Sequence, residues 1–196
     1  MKYSIGITGG IGSGKSTVMK ILQSCRAKVI KLDDVEVQNE LLDYFGPNVL
    51  IEGKPNKEFL SKVLLRQSRT ALNAIVHPKV ISLVQKELEA RPDDVDILAI
   101  ESPFPMSRTF KVDSIFYVYT DKITRIKRIM DRERIGNGGY TKLSCKEAHA
   151  RMMIQPVEDL YLAEADDIIM NNGGYIELKK QVENIYSLHT TGMRMH

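Results

Sequence analysis

The chain has 196 residues, 43% of them apolar and 27% charged, and its 28 basic and 25 acidic side chains leave a net charge of +3. That length suits one domain able to bury a core, and the apolar content excludes an intrinsically disordered chain. The small net charge does not argue for nucleic acid, no apolar run reaches bilayer length, and the two cysteines show no CxxC or zinc spacing. With no signal-peptide core ahead of the first strand, the expectation is a reduced, cytoplasmic compartment, without a membrane or nucleic-acid partner.

Tyr3-Ser4-Ile5-Gly6-Ile7-Thr8 reads as a short strand. It runs into Gly9-Gly10-Ile11-Gly12-Ser13-Gly14-Lys15-Ser16-Thr17, which satisfies GxxxxGK(S/T) with Gly9, Gly14, Lys15 and Ser16 at the fixed positions. Four glycines in six residues let the backbone turn its N–H groups inward as a concave site for phosphate oxygens. Lys15 can reach the β/γ-phosphates, the Ser16 hydroxyl can ligate Mg²⁺, and the following helix adds its positive dipole end. Val18, Ile21, Leu22 and Cys25 then recur at helical spacing on one apolar stripe, which makes Cys25 a core thiol. Strand, glycine loop and helix in this order make Gly12, Ser13, Gly14, Lys15, Ser16 and Thr17 the candidate nucleotide-binding residues, with ATP and Mg²⁺ as cofactors.

Lys28-Val29-Ile30-Lys31-Leu32 is a second strand, ending at Asp33-Asp34. Carboxylates at the C-terminal end of a parallel strand lie on the edge where open α/β sheets bind ligands, although either acid could instead cap the next helix. That helix carries Val35, Leu41, Leu42 and Phe45. Gly46-Pro47-Asn48 and Glu52-Gly53-Lys54-Pro55-Asn56 are turn clusters. From Lys57 to Ala90 the pattern is helical, and Pro78 predicts one helix ending near His77 and another starting at Pro78. This excursion, about 46–92, exceeds a minimal crossover and reads as an acceptor-binding insertion. Taken alone, His77 is more often structural than catalytic.

Asp96-Ile97-Leu98-Ala99-Ile100-Glu101 is a third strand, apolar enough to be buried on both faces. Glu101 at its end could organise Mg²⁺ and its waters, or simply hold the following loop. Ser114 to Tyr119 is a fourth strand. The next helix turns Ile123, Ile126, Ile129 and Met130 inward and carries Arg125, Arg128 and Arg132 on another face, a stripe that is ordinarily solvated. Here it leads into a glycine-rich loop, Gly136-Asn137-Gly138-Gly139, and arginines on a closing lid (about 131–155) neutralise charge in phosphoryl transfer. A helix through Ala148, Met152 and Met153, a fifth strand Asp166–Met170, the turn Asn171-Asn172-Gly173-Gly174 and a last helix with Ile176, Val182, Ile185 and Leu188 complete the chain.

Five short parallel strands alternating with helices predict an α/β fold, the three-layer P-loop NTPase arrangement, as a single domain with a helical insertion and a lid. No NKxD signature is present, which disfavours a GTPase. A small-molecule kinase fits best, with a nucleoside monophosphate kinase and a nucleotide-binding module without transferase activity as rivals.

Several segments resemble one family, dephospho-coenzyme A kinase, over nearly the whole chain. Ile7 to Thr17 is similar to its phosphate loop, Val29-Ile30-x-x-Asp33 to its VIDAD segment, and Leu72-Asn73-Ala74-Ile75-Val76-His77-Pro78 to its LNAxxHP segment. Arg151-x-x-x-Gln155 and Ala165-Asp166-Asp167-Ile168-Ile169-x-Asn171-x-Gly173 match its RxxxQ and ADxxIxNxG patterns. The chain departs at Lys31, where the family has an acid, at Pro103 to Ser107, which lacks the glutamate of PLLFE, and in extra length around Gly136 to Leu143. The resemblance implies transfer of a phosphoryl group from ATP to the ribose 3′-hydroxyl of dephospho-CoA. It further implies Asp33 as general base, His77 at the substrate, and Asn171 and Gly173 beside the adenine. The phosphate loop and the lid make Lys15 and Arg132 the candidate catalytic cations, and Glu101, by its strand-end position, joins Asp33 and His77 among the substrate-site candidates.

Overall fold

The computed structural model describes residues 3–31, 38–52, 54–55, 69–90, 95–102, 112–136, 143–153, 155 and 157–191. By chain contacts the molecule divides into two compact units, one made of residues 1–32 with 90–196, the other of residues 33–89.

The first unit is built on five parallel strands: β1 (Tyr3–Thr8), β2 (Lys28–Lys31), and, after a two-stranded hairpin in the other unit (β3 and β4), β5 (Ile97–Ser102), β6 (Ser114–Tyr119) and β7 (Asp167–Met170). Their order is β2-β5-β1-β6-β7, so β1 is central and the crossover direction reverses about it. Ligands bind outside the carboxyl ends of such strands at that reversal, which is where the glycine loop leaves β1. All five predicted strands are present, within one residue of their expected positions for β1, β5 and β6. Their apolar runs fit burial on both faces: Ile5, Ile7, Ile97, Leu98, Ala99 and Ile100 are wholly buried.

On one face of this sheet lie α1 (Lys15–Ser24) and the last helix, α7 (Tyr175–Thr191). Val18, Ile21 and Leu22 of α1 are buried, as the stripe requires, and each aliphatic side chain so placed contributes roughly 1.5–3 kcal/mol. Cys25, half-buried, packs against this core, and burial raises its thiol pKa, which keeps it protonated and inert. Helices α4 (Lys122–Gly136), α5 (Cys145–Met153) and α6 (Glu158–Leu162) complete this unit.

Three helical faces differ from the periodic reading. Ile129 is buried but Ile123 is 68% exposed; Ala148 is buried but Met153 is 70% exposed; Val182 and Leu178 are buried while Ile176 is 70% exposed. In each case the outlier lies in the first two residues or at the last residue of its helix. β7, the sheet edge, is shielded locally: Gln181 of α7 accepts from the Met170 N–H at 3.1 Å and donates to its carbonyl at 2.9 Å.

The second unit contains α2 (Gln38–Phe45), a 3₁₀ turn (Pro47–Val49), the hairpin of β3 (Leu50–Ile51) and β4 (Lys54–Pro55), and α3 (Arg69–Glu89). Leu41, Val49 and Val84 are its buried apolar side chains among those described. Here one expectation is extended and another corrected. The Glu52 to Asn56 turn cluster contains the bend of a hairpin too short for any periodicity to show it, with Glu52 at φ +50°. The helix does not break at Pro78 either: α3 runs through it as 21 residues. Proline removes one N–H bond, a cost of about 3 kcal/mol in a helix interior, but its ring is exposed and the helix continues on both sides of it. The helix expected around Leu60 to Leu64 lies outside the described residues.

Candidate active site

The loop between β1 and α1 is shaped by glycines. Gly14, at φ +98°, is the residue before the first helical turn, and a Cβ there would sit 2.1 Å from Asn171 Nδ2. Gly12, at φ +78°, would place a Cβ 2.8 Å from the Arg125 carbonyl. Neither the backbone angle nor the space admits another residue. From Gly14 the first helical bonds form at once, Thr17 N–H to Gly14 O at 2.9 Å and Val18 N–H at 3.1 Å, so the loop ends on a helix N-terminus with its positive dipole end.

Three predicted residues converge at this point. Lys15 Nζ donates to the carbonyls of Gly9 at 2.8 Å and Gly10 at 3.3 Å, which lays the ammonium across the loop. The Ser16 hydroxyl donates to Glu101 Oε1 at 3.3 Å. Glu101 lies next to last in β5, in register with Ile7, and so reaches the same sheet edge. A hydroxyl and a carboxylate at that distance form a hard oxygen donor pair of the kind Mg²⁺ shares with phosphate oxygens and water.

Ser13, buried, anchors the middle of the loop through its carbonyl. Asn171 Nδ2 donates to it at 2.7 Å and Arg128 at 3.4 Å, and the Thr120 hydroxyl lies 2.9 Å away. Thr120 and Asn171 are both buried, and they follow β6 and β7 directly. Arg128 also donates to the Asn171 carbonyl at 3.1 Å and to the Thr120 oxygen at 3.3 Å. Gly173 lies two residues further on, exposed.

Ahead of Ser13, the Ile11 peptide is held at both ends by side chains. Its N–H donates to Gln155 Oε1 at 2.5 Å and its carbonyl accepts from Arg125 Nε at 2.9 Å. Arg125 donates to the same Gln155 oxygen at 3.3 Å. The sequence reading missed these roles for Arg125 and Arg128, which it placed on a basic stripe leading into a lid; both are half-buried against the loop. One signal was available: Gly10 and Gly12 occupy positions the phosphate-loop pattern leaves open, and each marks where Arg125 approaches.

Of the remaining candidates, Arg132 is exposed on α4, and His77 lies within α3 in the other unit. The His77 side chain, and Asp33 altogether, fall outside the described residues. Two caps hold the helices around the site. Asp121 accepts the Thr124 N–H at 2.9 Å and the Thr124 hydroxyl at 2.7 Å, and these bonds hold its carboxyl pKa below the usual range. Ser144 and Glu147 form a capping box at the start of α5, with Glu147 accepting the Ser144 hydroxyl at 2.6 Å and N–H at 2.8 Å, and its pKa is lowered for the same reason. Behind the loop the Tyr117 hydroxyl donates to Glu158 at 3.0 Å; burial, followed by that bond, pushes the phenol pKa well up and keeps it a neutral donor.

The family model described as dephospho-CoA kinase matches residues 3–177. The chain belongs to the dephospho-CoA kinase family. It is 35% identical over 187 residues to the dephospho-CoA kinase of Moorella thermoacetica, a match spanning 87% of this chain and 84% of that relative. Among solved structures it is similar to TT1252 from Thermus thermophilus, with TM-score 0.72 and 27% identity over 95% of this chain and 97% of that one. A shikimate kinase from Acinetobacter baumannii shares the fold alone, at TM-score 0.52 and 15% identity over 98% of this chain and 95% of that one. Membership in the dephospho-CoA kinase family makes the chain an enzyme of the kinase class with a small-molecule substrate, and it bears out the resemblance read from its segments. A P-loop kinase uses ATP and, as a rule, a divalent metal. Among the described residues no helix is long and apolar enough to cross a membrane.

Proposed function

We propose that this kinase transfers the γ-phosphoryl group of ATP to the ribose 3′-hydroxyl of dephospho-CoA, giving coenzyme A and ADP in the last step of coenzyme A synthesis. The observation that carries this reading is the meeting of Lys15, Ser16 and Glu101 on a glycine loop in a chain of this family. In-line displacement breaks the bond from the γ-phosphorus to the bridging oxygen of ADP and forms one to the acceptor oxygen, whose proton passes to Asp33.

The N–H groups of the loop and of the first turn of α1, from Gly12 to Thr17, cradle the phosphates, and Lys15 offsets the charge that develops on the transferred group. Ser16 and Glu101 would hold Mg²⁺, which neutralises charge on the β- and γ-oxygens when bound. Arg132 clamps the phosphoryl group from the lid, Asn171 and Gly173 flank the adenine, and His77 contributes to the acceptor site. These roles follow from the residue types and from the family resemblance.

The test is ADP release measured with dephospho-CoA, with a panel of nucleoside monophosphates and with no acceptor. Turnover that depends on dephospho-CoA is the expected result. Preference for a monophosphate would reassign the acceptor, and no acceptor-dependent turnover would leave a nucleotide-binding module.

A further inference from the structure

The phosphate-loop pattern requires glycine only at positions 9 and 14 of this chain, yet Gly10 and Gly12 are glycines as well. The space around them says why. A Cβ on Gly10 would lie 2.0 Å from a terminal guanidinium nitrogen of Arg125, and one on Gly12 would lie 2.8 Å from the Arg125 backbone carbonyl. The loop is therefore open on one side to α4, chiefly to Arg125, with Ile129 also close to Gly12. Arg125 uses that opening to reach the Ile11 carbonyl, and it reaches the Gln155 oxygen that takes the Ile11 N–H.

Gln155 stands two residues beyond the end of α5. The Ile11 peptide thus has its donor and its acceptor fixed by side chains from far along the chain, and those two side chains are tied to each other. One oxygen accepts from a neutral amide and a cationic guanidinium, and the charged donor strengthens the arrangement. A peptide plane gripped at both ends cannot rotate. Its orientation sets the entry into Gly12 and so the direction in which the next loop N–H groups point. Preset donors that need no reorganisation are the source of most electrostatic stabilisation in phosphoryl transfer.

We infer that Arg125 and Gln155 are positioning residues for phosphoryl transfer: acting as one clamp on the Ile11 peptide, they hold the phosphate loop in its anion-binding geometry. The inference deepens the kinase reading and rests on it for the identity of the bound anion.

Four variants of the full chain test the inference: Gln155→Met, Arg125→Met, the double variant, and Gly10→Ala, which keeps both side chains but adds a methyl against the guanidinium. Gly10 lacks a left-handed φ, so alanine strains no backbone there. Each single variant is expected to raise the ATP KM, and to weaken the Mg²⁺ complex of the non-hydrolysable imido analogue of ATP, by roughly tenfold. Affinity for adenosine, which carries no phosphate, should change less than about twofold, and the unliganded Tm by no more than about 2 °C.

Because both residues act on one peptide, the double variant should match the worse single within about threefold, where independent sites would multiply to about a hundredfold. Unchanged analogue affinity, equal losses for analogue and adenosine, or losses that multiply would each overturn the clamp. Failure of the wild-type protein to turn over dephospho-CoA would instead refute the functional reading, and analogue binding would still decide the clamp.

Discussion

The two compact units of this chain are held together by different kinds of contact. In the unit of residues 1–32 and 90–196, parallel strands pair across long separations and side-chain bonds span more than a hundred residues: Ser4 N–H to Asp113 at 2.6 Å, Thr120 to the Ser13 carbonyl at 2.9 Å, Asn171 to that same carbonyl at 2.7 Å. In the unit of residues 33–89, the described contacts are of shorter range: α2 against the 3₁₀ turn that follows it, a two-residue hairpin, and α2 against α3 further along the same unit. The geometry of the glycine loop is thus specified by residues far apart in the sequence, whereas the described contacts of the second unit all fall within one continuous stretch of chain. The departures from the family's pattern, at Lys31, at Pro103 to Ser107 and around Gly136 to Leu143, all fall among the residues of the first unit and, in sequence, outside the glycine loop.

The comparison breaks most sharply at Asp33, the first residue of the second unit. Asp33→Asn is expected to lower kcat by about 10²–10⁴-fold through loss of the general base. The ATP KM should move less than about twofold, since the proposed donor-binding residues Gly12 to Thr17 belong to the other unit. A comparable rise in ATP KM would show that the two units share donor binding.

Within the first unit, Asn171→Ala removes a donor from the buried Ser13 carbonyl. It should destabilise the protein by about 1–3 kcal/mol in denaturant unfolding and raise the ATP KM. The KM for dephospho-CoA should stay in place, and an equal rise in both would erase the distinction.

The smallest effect is expected in the second unit. Pro78→Ala restores a helical N–H in α3 at an exposed position. A net gain of about 1–2 kcal/mol, seen as a Tm raised by a few degrees, is the expected balance between the recovered bond and the freer unfolded chain. The ATP KM should not respond, and a shift there would couple this helix to the loop.

The outcome at Pro78 also marks where local reasoning stopped. Propensity predicted a break because proline forfeits a bond; the helix continued because one lost bond is small beside twenty residues of retained ladder. The same limit applies to Ile123, Met153 and Ile176, apolar residues at helical spacing that ended up exposed. Periodicity fixes which residues share a face, but not how far along the helix a partner covers that face. The hairpin of β3 and β4 lay below the length at which any period can be counted.

The five parallel strands, the glycine loop and the α1 stripe were legible because each is written in short-range pattern: alternation, uninterrupted apolar runs and a fixed spacing of glycines, lysine and serine. Those patterns, with the longer family segments, were enough for a kinase and its substrate class. Tertiary structure alone decided how the loop is held. Arg125 and Arg128 look like any solvated basic stripe until the fold brings α4 beneath Gly10, Gly12 and Ser13, and Gln155 lies 144 residues from the peptide it grips. Hydrogen bonds between such distant residues leave no periodic trace along the chain, since their only requirement is that the folded backbone bring donor and acceptor within about 3 Å.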